Sequence, residues 1–257
     1  MISLYPNIKG YIMKIIASGA QANIYKEGSK IIKIFKKNIQ KEEVEYEVNL
    51  QKMAFSYGLP VPKIYGIIEI NDKLGIEMDF IDGITLGKAI LADKSKTYVY
   101  LEKSIELQNE IHRIETDKFP LMKNRLKMQI LHARKLSDME KNKILIKLEQ
   151  AKFDNKLCHG DFHVLNLIQT QQDIKIIDWI CACSGHPYAD VYRTYLLYKL
   201  VEEEFAKMYI EIYCKKYSID KMEILDWELI IAGARIGEYI KSEIEENILK
   251  GIIRNCI

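Results

Sequence analysis

The stretch Cys158-His159-Gly160-Asp161-Phe162-His163-Val164-Leu165-Asn166, followed by Ile176-Ile177-Asp178-Trp179, decides how this chain reads. Here polar residues interrupt an otherwise apolar region. Between the two polar sets, Leu165–Ile168 and Ile174–Ile177 have strand character around a polar turn at 169–173. The centre of that turn lies at Gln172 or one residue earlier. Asn166 and Asp178 stand about equally far from it on opposite arms, so a hairpin brings them together at its open end. Asp161 lies five residues before Asn166, in the loop entering the same end. The spacing predicts two carboxylates and one amide converging on one spot.

Phosphoryl transfer needs such a set. Mg²⁺ prefers hard oxygen ligands and commonly takes one or two carboxylates plus substrate phosphates, a role that suits Asp178 and Asn166. A separate carboxylate must orient the attacking hydroxyl and accept its proton, which suits Asp161.

Outward from this core, the first eighty or so residues read as strands with one helix. Tyr11–Ser18 is a short apolar run, and Ser18–Asn23 is a small-residue loop. Gly28-Ser29 and Asn71-Asp72 mark hairpin turns, the first between Ile24–Glu27 and Lys30–Phe35, the second between Lys63–Ile70 and Lys73–Phe80. Between these hairpins Gln40–Tyr57 has helical spacing and ends at Gly58-Leu59-Pro60. Beyond Asp82-Gly83 the spacing predicts helices over Thr97–Ile114, Leu121–Leu136, Asp138–Ala151, Asp190–Tyr217 and Lys221–Leu249. The expected organisation is an α+β chain of two lobes: a small β-rich lobe with one key helix at 1–82, and a larger, mainly helical lobe at 83–257. Clefts between such lobes are common ligand sites.

Composition sets the boundaries of function. The 257 residues are 48% hydrophobic, which supports a real core. Lys plus Arg is 38 and Asp plus Glu is 36, a net charge of +2, which argues against a dedicated nucleic-acid binder. No apolar run approaches a membrane span, and the first residues lack the pattern of a signal peptide. Five cysteines, an odd number and all in the last hundred residues, read as reduced thiols of a cytoplasmic protein rather than a disulfide framework.

The sequence H-G-D-F-H-x-x-N followed by I-I-D-W resembles the signature of the aminoglycoside phosphotransferase and choline kinase family, with its two-lobed protein-kinase-like fold. The resemblance spans roughly residues 15 to 200. It implies Asp161 as catalytic base and Asn166 and Asp178 as Mg²⁺ ligands. It also calls for a strand lysine that holds the α- and β-phosphates of ATP, or of GTP, and a helix glutamate that positions the lysine. Lys33, in Ile31-Ile32-Lys33-Ile34-Phe35, suits the first role. For the second, Glu47 shares a helical face with Val44, Val48, Gln51 and Phe55, with Glu43 as the other candidate. Ser18, Gly19 and Asn23 resemble the phosphate loop, and the backbone of Asp79, Phe80 and Ile81 resembles the segment that binds the adenine edge. In Gly185-His186-Pro187-Tyr188-Ala189-Asp190, which resembles a Gly-x-Pro-x-x-Asp stretch, the resemblance implies that Asp190 braces the catalytic loop, and His112 reads as structural.

The resemblance implies a small hydroxylated acceptor: an aminoglycoside-like compound, another amino alcohol or a sugar. Residues 200–257 carry 8 Lys/Arg and 12 Asp/Glu, leaving +6 on the rest of the chain. Glu202, Glu203, Glu204, Glu238, Glu243, Glu245 and Glu246 could therefore include a wall for a cationic acceptor, against the plainer reading of a solvated helix face. Antibiotic resistance is the corresponding biological expectation, for a monomer or weak dimer without nucleic-acid or membrane partners. Two other readings compete. His159, Asp161 and His163 alternate as H-x-D-x-H and suit a metal-dependent hydrolase. A kinase-like module that binds nucleotide without transferring phosphate is the other.

Overall fold

Along the chain run β1 (Asn7–Ile8), β2 (Tyr11–Ile12), β3 (Lys14–Ser18), β4 (Ala22–Glu27), β5 (Lys30–Phe35), α1 (Lys41–Ser56), β6 (Ile64–Ile70), β7 (Lys73–Asp79) and β8 (Ile84–Thr85). They are followed by α2 (Leu86–Ala92), α3 (Thr97–His112), α4 (Met122–His132), α5 (Asp138–Gln150), β9 (Lys156–Cys158), β10 (Leu167–Gln169), β11 (Ile174–Ile176) and β12 (Cys183–Gly185). The chain closes with α6 (Pro187–Lys199), α7 (Glu203–Tyr217), α8 (Lys221–Leu225), α9 (Glu228–Ile236) and α10 (Glu243–Cys256). This computed structural model describes residues 7–8, 11–12, 14–19, 21–36, 39–238, 240 and 242–256. Within the small-residue loop, Ala20 lies outside the described residues.

The contacts divide the chain into two units, Met1–Leu86 with Leu165–Ile180, and Gly87–Val164 with Cys181–Ile257. The first holds a five-stranded antiparallel sheet ordered β3-β4-β5-β7-β6 and a three-stranded sheet ordered β11-β10-β8. Alternation along β5 sends Ile31 and Phe35 toward the core with Val44 and Val48 of α1, while Ile32 and Ile34 pack on the opposite face with Tyr25 and Ile68. Asn71 and Asp72 both take positive φ, at 49° and 58°, as the two-residue turn between β6 and β7 requires. At Gly83 a Cβ would collide with the carbonyl of Gln169, so β8 can lie against β10 only with glycine beside it.

The second unit is mainly helical. Leu101, Ile105 and Ile111 of α3, Tyr192 and Leu196 of α6, and Tyr209 and Ile210 of α7 are buried there. Two of the predicted helices are divided. The span 190–217 breaks at Leu200–Glu202 between α6 and α7, and 221–249 is three helices with Gly237 just after α9. A Cβ at Gly237 would strike the carbonyl of Gln129, so close packing against α4 ends α9 there. Helix α2 has no counterpart in the spacing; at seven residues it is too short to set a period. Among the described residues no helix is long and apolar enough to cross a membrane. All five cysteines are free thiols.

Candidate active site

In the first unit, Lys33 shares the core-facing side of β5 with Ile31 and Phe35, the side that α1 covers. Its Nζ donates to Oε1 of Glu47 at 2.5 Å. Glu47 is 4% exposed, and its Oε2 is buried with no hydrogen-bond partner among the described residues. Glu43, by contrast, points to solvent. The helical face thus selects Glu47, although Phe55 is 44% exposed and Ala54 takes the buried place in that last turn.

The turn after β3 is tight. Ser18 Oγ donates to Asn23 Oδ1 at 2.7 Å, Gly19 N–H donates to the Ala22 carbonyl at 2.8 Å, and Lys36 Nζ donates to the Gly19 carbonyl at 2.8 Å. After β7, the N–H groups of Asp79 and Phe80 are committed to the carbonyls of Lys63 and Ser29, at 3.0 and 2.9 Å. The Asp79 carboxylate accepts from Lys63 N–H and Tyr65 OH. Ile81 N–H has no protein partner among the described residues. This narrows the three-residue expectation to one backbone donor.

The hairpin forms as the spacing predicts. Leu167 pairs with Ile176 and Gln169 with Ile174, which centres the turn between Gln171 and Gln172. Ile177 N–H donates to the Asn166 carbonyl at 3.0 Å, so Asp178 follows directly on the residue bonded to Asn166. Asn166 is buried and Asp178 exposed. Asp178 also holds φ at +67°, a left-handed conformation that aspartate tolerates better than most residues.

Asp161 lies in the second unit, on the loop after β9. Gly160 before it has φ +76°, and a Cβ there would collide with the Cys181 carbonyl and the Arg125 guanidinium. Arg125, which sequence reasoning passed over, donates to the carbonyls of Cys181 and Gly160. From α6, the Asp190 carboxylate accepts Gly160 N–H at 2.7 Å, which is the bracing expected of it. Asp190 also accepts from Gln108 Nε2 at 3.2 Å and lies 3.0 Å from His112 Nε2. Burial alone would raise the Asp190 carboxyl, but His112, His159 and Gln108 outweigh it and lower it to about 2. Replacing Asp190 with alanine is expected to cost about 3 kcal/mol or more, since a buried carboxylate's partners lose their acceptor together. Denaturant titration of the two proteins measures the difference. Because the folded-state value is depressed, the stability Asp190 contributes is complete above about pH 4. It drains away as the pH falls toward about 2.

Asp161 itself is partly buried. Its N–H donates to His159 Nδ1 at 3.3 Å, and its carboxylate lies 3.5 Å from both His163 Nε2 and Arg193 Nη2. Burial opposes ionisation, yet His163, Arg193 and His159 overcome it and hold the carboxyl well below the usual carboxylate range. The group is ionised at neutral pH.

Most of the carboxylates read as a wall for a cation already have partners. Glu238 binds Arg193 and Arg235, Glu245 binds Arg235, Glu246 binds Lys135 and Lys250, and Glu203 and Glu204 bind Lys207. The H-x-D-x-H set fares no better as a metal site. Among the described residues, the side chains close enough to share an ion are His112, Cys158 and Asp190, and the direct bond from His112 to Asp190 already accounts for two of them.

Comparison with known proteins bears on this arrangement. Residues 13–225 match the model of the phosphotransferase enzyme family. The solved structure of choline kinase from Cryptosporidium parvum Iowa II superposes with a TM-score of 0.61 at 16% identity, covering 95% of this chain and 88% of that one. A thermostable mutant of aminoglycoside phosphotransferase APH(4)-Ia, in complex with AMP-PNP and hygromycin B, gives 0.67 at 13% identity over 95% and 94%. Amicoumacin kinase hAmiN, in complex with AMP-PNP and Ca²⁺, gives 0.60 at 16% identity over 95% and 87%. These likenesses establish a two-lobed, protein-kinase-like fold. Among curated sequences, acyl-CoA dehydrogenase family member 11 of Rattus norvegicus is 22% identical over 230 residues, a match to 74% of this chain. The chain spans only 29% of the length of that relative.

Proposed function

Because the chain belongs to the phosphotransferase enzyme family, we propose that this phosphotransferase moves the γ-phosphate of ATP to a hydroxyl of a small molecule, an amino alcohol or a sugar. The observation that carries this reading is the Lys33–Glu47 pair, 2.5 Å long, with its carboxylate nearly sealed from water. A buried glutamate committed to one strand lysine is what a phosphate-holding ammonium needs and what a hydrolase does not. The AMP-PNP bound by two of the similar kinases supports the nucleotide assignment.

In this reading Lys33 holds the α- and β-phosphates and Glu47 fixes its direction. The turn at Ser18, Gly19 and Asn23 covers the phosphates. Ile81 N–H and the Asp79 carbonyl take the adenine edge. The acceptor hydroxyl donates to the Asp161 carboxylate. As its oxygen bonds to the γ-phosphorus, the proton passes to Asp161 and the bond to ADP breaks. Asn166 and Asp178 offer hard oxygen donors, amide and carboxylate, from adjoining positions of one hairpin. That chemistry fits Mg²⁺. Bound there, the ion would supply charge neutralisation on the phosphates. The same reading assigns the nucleotide-binding role to residues 1–82 and the acceptor to 83–257. Resistance to an antibiotic follows only if such a compound is the acceptor.

The test is an acceptor panel of aminoglycosides, choline-like amines, sugars and hydroxy amino acids, with ATP and with GTP, read as nucleoside-diphosphate release. Stoichiometric release with at least one acceptor is expected. Clear nucleotide binding with no release for any acceptor would instead favour a regulatory module.

A further inference from the structure

The carboxylate given the role of base does not stand on its loop alone. Arg193, one turn along α6 from Asp190, is 8% exposed, and its guanidinium sits between two carboxylates. Glu238 takes it in a fork, Nη1 to Oε1 at 2.9 Å and Nη2 to Oε2 at 3.1 Å. The same Nη2 lies 3.5 Å from Oδ1 of Asp161. Glu238 is fixed in turn by Gln129 Nε2 at 2.7 Å and Arg235 Nη1 at 2.5 Å, and Arg235 is anchored by Glu245 at the start of α10. The charges alternate along Asp161, Arg193, Glu238, Arg235 and Glu245, so no member of the row is buried without a counter-charge.

We propose that Arg193 is the positioning residue of Asp161, aimed by Glu238, and that this row of ion pairs sets the direction of the base. The proposal rests on the reading of Asp161 as base given above.

Three observations support it. A bidentate guanidinium is planar and directional, so Glu238 determines where Nη2 points. Arg193 Nε is buried with no hydrogen-bond partner among the described residues. The side chain therefore sits where its two Nη groups are used, even though one donor goes unpaired. Glu238 would by itself neutralise the arginine, so packing does not require the approach to Asp161. His159 and His163 from its own loop and Cys181 also face Asp161, and Arg125 and Cys181 face Arg193. Arg125 and Asp190 hold the loop through the backbone of Gly160, whereas Arg193 reaches the Asp161 carboxylate itself from α6.

The experiment compares Arg193→Met, Arg193→Lys and the double variant Arg193→Met/Glu238→Leu with the wild type. The double variant removes a buried pair together, which cores commonly tolerate, so it stays folded if the single one does not. For Arg193→Met and the double variant, kcat is expected to fall between about tenfold and 10²-fold, the scale of a misdirected catalytic group, with KM for ATP within about threefold. Arg193→Lys recovers part of the loss, since it restores the charge without the fork. In ¹³C-labelled protein, the titration midpoint of the Asp161 carboxyl rises by at least about one pH unit when the guanidinium is gone. Unchanged kcat and an unmoved Asp161 midpoint in a folded variant, beside an active wild type, overturn the positioning role alone. A wild-type protein that transfers phosphate to nothing overturns the functional reading itself.

Discussion

Asp161→Ala is expected to lower kcat by at least about 10²-fold at saturating ATP and acceptor, the lower range for a general base. The size is that of a positioned general base, and much of the surrounding structure holds this carboxylate in place. Its loop is tied by Asp190 to Gly160 N–H and by Arg125 to the Gly160 and Cys181 carbonyls. Arg193 and His163 each lie 3.5 Å from the carboxylate. Asp161→Asn keeps the shape and loses only the proton acceptor, so the two variants are expected to fall together. Nucleotide affinity should remain within a few-fold of wild type, because nothing in the proposed role of Asp161 touches ATP. Steady-state kinetics of both variants, with calorimetric nucleotide binding alongside, read the outcome directly. Turnover near that of the wild type would remove Asp161 from the role of base.

A larger loss, about 10³-fold, is expected for Asp178→Asn, since a metal-held phosphate charge is worth several kcal/mol of transition-state stabilisation. Asparagine is the informative substitution. Asp178 holds φ at +67°, a conformation that asparagine also tolerates and alanine does not. The fold is therefore spared while a charged oxygen becomes a neutral one. Asn166→Ala should cost less, because an amide contributes no formal charge to the ion. Turnover measured across a Mg²⁺ series separates the cases: Asp178→Asn requires more metal for half-maximal rate, and an unaltered Mg²⁺ dependence would argue against the ligand assignment. Stability of Asp178→Asn should stay close to wild type, because the side chain is exposed.

Much of the site is legible in the sequence. The hairpin between Asn166 and Asp178 shows itself because two short apolar runs flank a polar turn, and hairpin pairing depends only on local distance along the chain. Glu47 can be chosen over Glu43 because helical spacing decides which glutamate faces the core. Lys33 is picked out by the family resemblance, within a run that reads as a strand. The hairpin residues and Glu47 are placed by the periodicity of their own elements. The helix breaks at Leu200–Glu202 and after α8 are hidden for the complementary reason. Apolar positions continue through them, and the break after α9 shows a cause that no period carries: a Cβ at Gly237 would strike the carbonyl of Gln129.

The acidic residues of the last helices show the limit most clearly. In the sequence they sum to an excess of negative charge, and a cationic acceptor is a natural reading of that sum. In the structure Glu238 and Glu245 are spent on Arg193 and Arg235, and Glu246 on Lys135 and Lys250. Counting charges along a chain cannot show which ones meet, because Arg193 and Glu238 are 45 residues apart and belong to different segments.

By itself, the sequence determined a β-rich part, a mainly helical part and the residue types available for phosphoryl transfer, because alternation and helical period are short-range patterns that every stretch carries within itself. The kinase-like class follows from the resemblance of H-G-D-F-H-x-x-N and I-I-D-W to the family signature. Only the tertiary structure decided that Glu47 seals its carboxylate around Lys33, that Ile81 N–H has no partner among the described residues, and that a row of ion pairs runs behind Asp161. Those outcomes depend on burial, which strips water from charges and forces each to find a partner wherever the packed helices and strands bring one within reach.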